Sequence, residues 1–287
     1  MTMAHTSQTA KNLPGQEVRL SGIGLITGQT IEVTLIKPSE ATGIRFFYND
    51  IIIPATDAMV VDTFRGVTLA NQGQTLSIVE HFLAACAMAG VLHLDVYLDG
   101  PAPELPLLDG SALPWVSAIE RFVDPMPTTV YGLSAPVVHV DPKDPMVTIT
   151  GAPCDRLIVS YLLDFPHPDL KQRWFSFEPG AYGWVEAIAP ARTFGFVREL
   201  PMLQEQGLAR GVSIDNTLGL TDEGSYTTPL RMPDEPLRHK ILDFVGDLML
   251  CGLPIQTLRG HFIAQSAGHT SHVAFGRMLK SVLVPLP

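Results

Sequence analysis

Cysteine is scarce in this chain: three occur among 287 residues, at positions 86, 154 and 251. So few, so far apart, they exclude a disulfide framework and a cysteine-based zinc knuckle, and they read as reduced thiols. Long uninterrupted apolar runs are also missing. The longest apolar neighbourhood, 76–98, is broken by Glu80, His81, His93 and Asp95 and is too polar to span a membrane. Residues 1–14 lack the continuous apolar stretch of a secretory signal and read as a flexible leader. Positive charge is short as well. Nineteen Lys and Arg against 29 Asp and Glu leave a net charge of -10, which argues against a nucleic-acid surface. Any phosphate-bearing ligand must then be held by a few placed cations. No His-Glu-x-x-His, Gly-x-Ser-x-Gly, P-loop or Gly-x-Gly-x-x-Gly pattern occurs, so the usual marks of zinc peptidases, serine hydrolases and nucleotide folds are absent.

What is present is a 46% hydrophobic, 17% charged composition, that of a compact soluble protein long enough for two cores. Alternating stretches at 17–21, 30–36, 43–48 and 93–98 predict half-buried strands, with helices over 78–88 and 114–122. A Pro-rich break, Asp124-Pro-Met-Pro127, reads as a linker. Strands follow near 135–140, 146–150 and 156–164, and helices near 235–251 and 270–284. The expected organisation is a first α+β domain over 15–126 and a second over 127–287. The runs His81 to Gly90 and Asp243 to Gly252 each lead through apolar residues to a terminating Gly. If they correspond, two α+β halves face each other through their helices and share one metal site at the seam.

Chemistry-bearing residues concentrate in four places. His239 and Asp243 are four apart on the last-but-one helix, so both can converge on one ion, and Asp247 continues the stripe. A solvated helix face would look the same. Glu80 and His81 open the first long helix, where Ser77-x-x-Glu80 also fits a capping box. Two His and one Asp leave the fourth zinc position open, with Glu80 available as a base. Ser266-Ala-Gly-His269 places an imidazole at a strand-to-helix turn, where Asp247 could hold it as a cation. Ala191-Arg-Thr-Phe-Gly-Phe196 offers the Thr193 hydroxyl followed by two aromatics.

Six blocks in this order resemble the UDP-3-O-acyl-N-acetylglucosamine deacetylases, the zinc amidases of the committed step in lipid A synthesis: Gly22-Ile-Gly-Leu-Ile-Thr-Gly28, Thr75 to His81, Glu104-Leu-Pro-Leu-Leu-Asp-Gly-Ser111, Ala191 to Phe196, Arg238 to Asp243 and Gly268-His269. The resemblance implies one zinc ion on His81, His239 and Asp243, with Glu80 as general base. It implies His269 with Asp247 as electrostatic and acid group, and Thr193 as the hydroxyl on the amide oxygen. Lys240 would contact the nucleotide-sugar side, with Phe194, Gly195 and Phe196 along the substrate passage. The implied fold is two similar layered halves, sheet and helix pair, packed with the helices between the sheets. A cytoplasmic monomer acting on a UDP-linked acylated N-acetylglucosamine is expected. Two departures stand out: Ile26 occupies the position where the family carries His, and Ser266 the position where it often carries Lys. They keep open a zinc amidase of another N-acetyl sugar nucleotide and, as a further alternative, a non-catalytic zinc-containing binding protein of the same fold.

Overall fold

Period-two alternation works as expected at β2 (Thr30–Ile36): Ile31, Val33 and Leu35 are fully buried while Thr30 and Glu32 face water. In the computed structural model, which describes residues 17–179 and 183–287, β2 pairs with β1 (Glu17–Ile23) in one five-stranded sheet. The expected leader lies outside the described residues. β3 (Ile44–Tyr48) and β4 (Ile51–Pro54) form the far edge. Three short strands, β5 (Val60–Asp62), β6 (Thr68–Asn71) and β7 (Gln74–Ser77), then make a small separate sheet. Helix α1 (Glu80–Ala89) follows, ended by Gly90 in the left-handed conformation that a C-terminal glycine supplies at no steric cost. Strand β8 (Leu94–Asp99) inserts between β2 and β3, giving the order β1-β2-β8-β3-β4, and α2 (Leu113–Ile119) covers the helix side.

No helix or strand occurs between Phe122 and β9 (Tyr131–Leu133), the stretch holding the Pro-rich break. The plan then repeats. Strands β10 (Val137–Val140), β11 (Thr148–Ala152), β12 (Leu157–Leu163) and β13 (Arg173–Phe177) lead to an insert with α3 (Gly183–Ala187), β14 (Phe194–Phe196), α4 (Leu200–Glu205) and β15 (Leu218–Leu220). Helix α5 (Glu235–Leu250) follows, then β16 (Gly260–Gln265), α6 (His269–Leu279) and β17 (Leu283–Pro285). The second sheet reads β10-β11-β16-β12-β13, so β16 sits where β8 sits, antiparallel to one neighbour and parallel to the other. This mixed α+β architecture agrees with the expected class.

The repeat extends to packing. Phe82, just after His81 on α1, packs edge-on against Phe46 of β3 and Trp115 of α2. Phe244, just after Asp243 on α5, packs against Phe262 of β16 and Phe275 of α6. Helices α1 and α5 lie directly on each other, and small residues stand at the crossing. A Cβ on Gly246 would come within 2.2 Å of the Glu80 carbonyl oxygen and 3.1 Å of the Ala84 nitrogen. Ala84 and Gly246 each lie three residues beyond a proposed metal ligand.

Several local expectations are corrected. Ser77 belongs to β7, and Ile78 adopts φ 61, so the chain turns sharply before α1 and no Ser77–Glu80 capping box forms. At the entry to α5, where an aspartate ordinarily caps the helix, Asp234 takes φ 57 and gives its carboxylate to Arg173. Helix α6 stops at Leu279, because the chain beyond it runs as β17 and pairs with β9.

Candidate metal centre and active site

Helices α1, α5 and α6 carry the candidate site, and each is entered through a non-glycine residue in the left-handed region: Ile78, Asp234 and Ser266. For a β-branched residue such as Ile78 this conformation costs on the order of 1–3 kcal/mol, a local strain that the surrounding packing must sustain. The result is that Glu80 and His81 point into the seam with α5, where both are almost fully buried.

There they meet His239 and Asp243. One ligand-type atom from each of His81, His239 and Asp243 lies within 4.8 Å of the others. Asp243 Oδ1 is 3.3 Å from His239 Nε2 and 3.8 Å from His81 Nε2. His239 Nδ1 is 3.0 Å from the Ala191 carbonyl oxygen, which can only accept, so the proton sits on Nδ1 and the Nε2 lone pair faces Asp243. Burial pushes the His81 imidazole down to about 3, helped by His239, and lowers His239 as well, so both rings are neutral, the form a metal ion requires. Burial also works against the Asp243 carboxylate, but the Lys240 ammonium and the surrounding imidazoles outweigh it and hold the group well below the usual range. Lys240 Nζ donates to Asp243 Oδ2 at 2.7 Å, while Oδ1 is buried with no hydrogen-bond partner among the described residues. Buried polar atoms are seldom left unpaired. An unpaired carboxylate oxygen beside the His239 lone pair and the His81 Nε2, whose ring also leaves Nδ1 buried without a partner among the described residues, fits a divalent cation, and the donor set of two nitrogens and one oxygen suits zinc.

Glu80 stands beside this trio. Its Oε2 accepts from the Val67 amide at 3.0 Å, an anchor just before β6 that no local pattern announces. Burial raises its carboxyl to about 7 against the opposing pull of His269. His269, the first residue of α6, puts Nδ1 2.8 Å from Asp247 Oδ2. Burial disfavours its cation, but Asp247 more than compensates and the imidazole rises to about 9. The pair therefore sits as base-ready carboxyl and charged imidazole at neutral pH.

Thr193 is set by the Leu107 to Ser111 turn, since its backbone amide donates to the Gly110 carbonyl at 2.7 Å. Gly110 has φ 80, and a Cβ there would fall 1.8 Å from the Asn216 carbonyl oxygen, so only glycine fits. Arg192 pins the same segment to the first turn of α5: its guanidinium donates to Glu235 at 2.8 and 3.0 Å in a fully buried, bidentate pair. Thr193, Phe194, Gly195 and Phe196 line one side of a cavity of about 410 Å³, with Ile26, Leu203, Leu208 and Ile214 among its other walls. None of the three proposed metal ligands lines that cavity, but Phe194, which does, packs edge-on against the His239 ring with centroids 6.0 Å apart. The work of two carboxylates is not visible in the sequence. Glu104, 1% exposed, accepts from the Ile26 and Thr27 amides and the Thr27 hydroxyl, and so shapes the loop carrying the Ile26 departure. Glu235 holds Arg192. Both take partners remote in sequence, which spacing cannot reveal.

The model of the UDP-3-O-acyl N-acetylglycosamine deacetylase family matches residues 13–281. The chain belongs to this family. Among similar proteins are UDP-3-O-acyl-N-acetylglucosamine deacetylases of Thermosynechococcus vestitus, 36% identical with 94% of each chain covered, and of Chlamydia abortus, 35% identical with 94% of this chain and 96% of that one covered. The Myxococcus xanthus deacetylase is 38% identical over 87% of this chain and 80% of its own. In this deacetylase, among the described residues, no helix is long and apolar enough to cross a membrane.

Proposed function

We propose that this deacetylase hydrolyses the N-acetyl amide of UDP-3-O-acyl-N-acetylglucosamine, releasing acetate and the free amine, the committed step of lipid A biosynthesis. The observation that carries the reading is the convergence of His81, His239 and Asp243 at the α1–α5 seam, with Glu80 and His269 close enough to feel the charge of Asp243 and of each other, in a chain of this family. His81, His239 and Asp243 would hold one zinc ion per chain. When bound, that ion supplies Lewis-acid polarisation of the attacking water and the amide carbonyl.

The chain's own groups account for the proton movements. Glu80 takes a proton from water as its oxygen attacks the acetyl carbon. The Thr193 hydroxyl and the His269 imidazolium face the developing oxyanion, where losing one donor typically costs about 2.7–4 kcal/mol. His269 then gives its proton to the glucosamine nitrogen as the C–N bond breaks, so water is consumed and acetate and amine leave. Asp247 keeps His269 charged. Lys240 and nearby arginines meet the diphosphate. Phe194, Gly195 and Phe196 flank the acyl chain in the neighbouring cavity, whose volume suits a small-molecule site. Apolar contact there at about 25 cal/mol per Å² offsets the repulsion of an acidic protein for an anionic nucleotide.

The division at 126/127 belongs to the same reading and is supported by the repeated strand order on either side of it. Cytoplasmic location and a monomeric state complete the proposal, with buried thiols at Cys86 and Cys251 in keeping with a reducing compartment. Metal analysis coupled to acetate release on acylated and non-acylated nucleotide sugars tests it. Turnover of the acylated substrate by zinc-loaded protein is expected; preference for a non-acylated sugar nucleotide would reassign the substrate, and metal binding without acetate release would end the enzymatic reading.

A further inference from the structure

Beside the proposed metal ligands, a second group of ionisable side chains closes on itself. Asp247 Oδ2 lies 2.8 Å from Nδ1 of His269 and equally 2.8 Å from Nδ1 of His272. His272 Nε2 and the Ala267 carbonyl oxygen lie 2.8 and 2.6 Å from the Tyr161 hydroxyl, whose single proton is shared between them. Ala267 precedes His269 by two residues, so hydrogen bonds and backbone together form a closed ring through β12, α5, α6 and the turn between β16 and α6. Tyr161, Asp247 and His272 are all fully buried.

The ring has a mechanical logic. Asp247 Oδ1 is buried without a hydrogen-bond partner among the described residues, so only what Oδ2 holds sets the direction of the carboxylate. With His269 alone on it, that carboxylate could swing about its Cβ–Cγ bond and carry the His269 ring along. A second imidazole on the same oxygen removes this freedom. Tyr161 acts at both ends, bracing the His272 ring and the backbone turn that presents His269.

We propose that His272 and Tyr161 are positioning residues for His269, closing a hydrogen-bonded ring that aims its imidazole at the leaving amine. The proposal rests on the reading of His269 as the group that protonates that amine. Neither residue touches the substrate, and each acts through another.

The test uses the full-length, metal-loaded enzyme with His272→Leu, His272→Asn and Tyr161→Phe. Because misplacing a catalytic group by about 1 Å can cost ~10²-fold, His272→Leu is expected to lower kcat by about 10- to 100-fold. Its KM should stay within about twofold, since the interaction matters in the transition state more than in ground-state binding. In His272→Asn the carboxamide N–H still reaches Asp247 and restores most of kcat. Tyr161→Phe keeps the ring packing but loses both hydroxyl contacts, and falls between. In a His269→Ala background His272→Leu should have no further effect. Independently of turnover, the His269 Nδ1–H proton should give a slowly exchanging, strongly deshielded NMR signal in the parent and His272→Asn proteins, broadened in the other two. Unchanged kcat in folded His272→Leu or Tyr161→Phe overturns the proposal. So does equal loss in His272→Leu and His272→Asn, which would mean packing only, or an additive effect in the His269→Ala background. A second equivalent of zinc in the parent protein that His272→Leu removes would make the cluster a cation site instead. Should the parent release no acetate, the functional reading fails while the NMR signals still decide whether the ring forms.

Discussion

Replacing Gly246 with alanine tests how the α1–α5 crossing sets the metal trio. The added methyl would lie 2.2 Å from the Glu80 carbonyl oxygen, where ordinary contact begins at 3.4 Å, so the helices must part by about 1.2 Å, the difference between the two. Backbone atoms on α1 cannot rotate aside. Overpacking of this kind costs about 1–3 kcal/mol. Alanine's better helix propensity returns up to about 1 kcal/mol, so the net cost is about 0–2 kcal/mol, a few degrees in a chain of this size. The site responds more strongly. Glu80 and His81 ride on α1, His239 and Asp243 on α5, and their ligand atoms now fit within 4.8 Å. Pulling the helices apart separates base and ligands together, and a displacement of about 1 Å is worth roughly 10²-fold in rate. Steady-state acetate release and zinc titration of Gly246→Ala should therefore show kcat/KM down by about two orders of magnitude and weaker metal binding, with a cooperative thermal transition close to that of the parent. Parental kcat/KM and metal affinity would show that the crossing at Gly246 does not control the site.

Three further outcomes follow from the same geometry. Glu80→Ala should keep its zinc but lose about 10²- to 10⁴-fold in kcat, because only the proton acceptor is removed; full acetate release by this variant would return Glu80 to a structural role. Asp243→Ala removes the only carboxylate of the trio and should lose stoichiometric zinc by elemental analysis, so retained metal would strike Asp243 from the ligand set. The pH profile of kcat/KM should be a bell. Glu80 acts unprotonated, so activity rises as pH climbs through its pKa, about 7 without metal and lower once a dication stabilises the carboxylate; His269 acts protonated, so activity falls as pH passes about 9. Replacing His269 with glutamine should abolish the alkaline limb, and a limb that persists belongs to another group.

The long periodic elements were legible because burial imposes period two or 3.6 directly: β2 runs over the expected 30–36, and α5 over 235–250 against an expected 235–251. Weak sequence similarity between the His81 and Asp243 runs turned out to mark a repeated fold, visible only when both sheets show the same strand order. Partners far apart in sequence were illegible. Glu80 looked like a helix cap because Ser77 stood three residues earlier, yet Ile78 turns the chain and the carboxylate finds Val67. His272 lies one turn beyond His269 on a mostly apolar helix face, where an imidazole reads as ordinary core until Asp247 and Tyr161 are seen to reach it. The Glu104 block matched a family pattern without showing its work, which is to hold the 26–27 loop through backbone amides and to seat Thr193 through Gly110.

One ligand rides on the helix of the first sheet and two on the helix of the second, so an ion seated among them would act as a rivet. Free metal at a hundred times its dissociation constant would deepen the folded state by about 2.7 kcal/mol, and by linkage anything that wedges the sheets apart would weaken metal affinity. If zinc is that ion, as proposed, heat tolerance should rise with free zinc, and a chelator should loosen the seam and stop turnover in the same step.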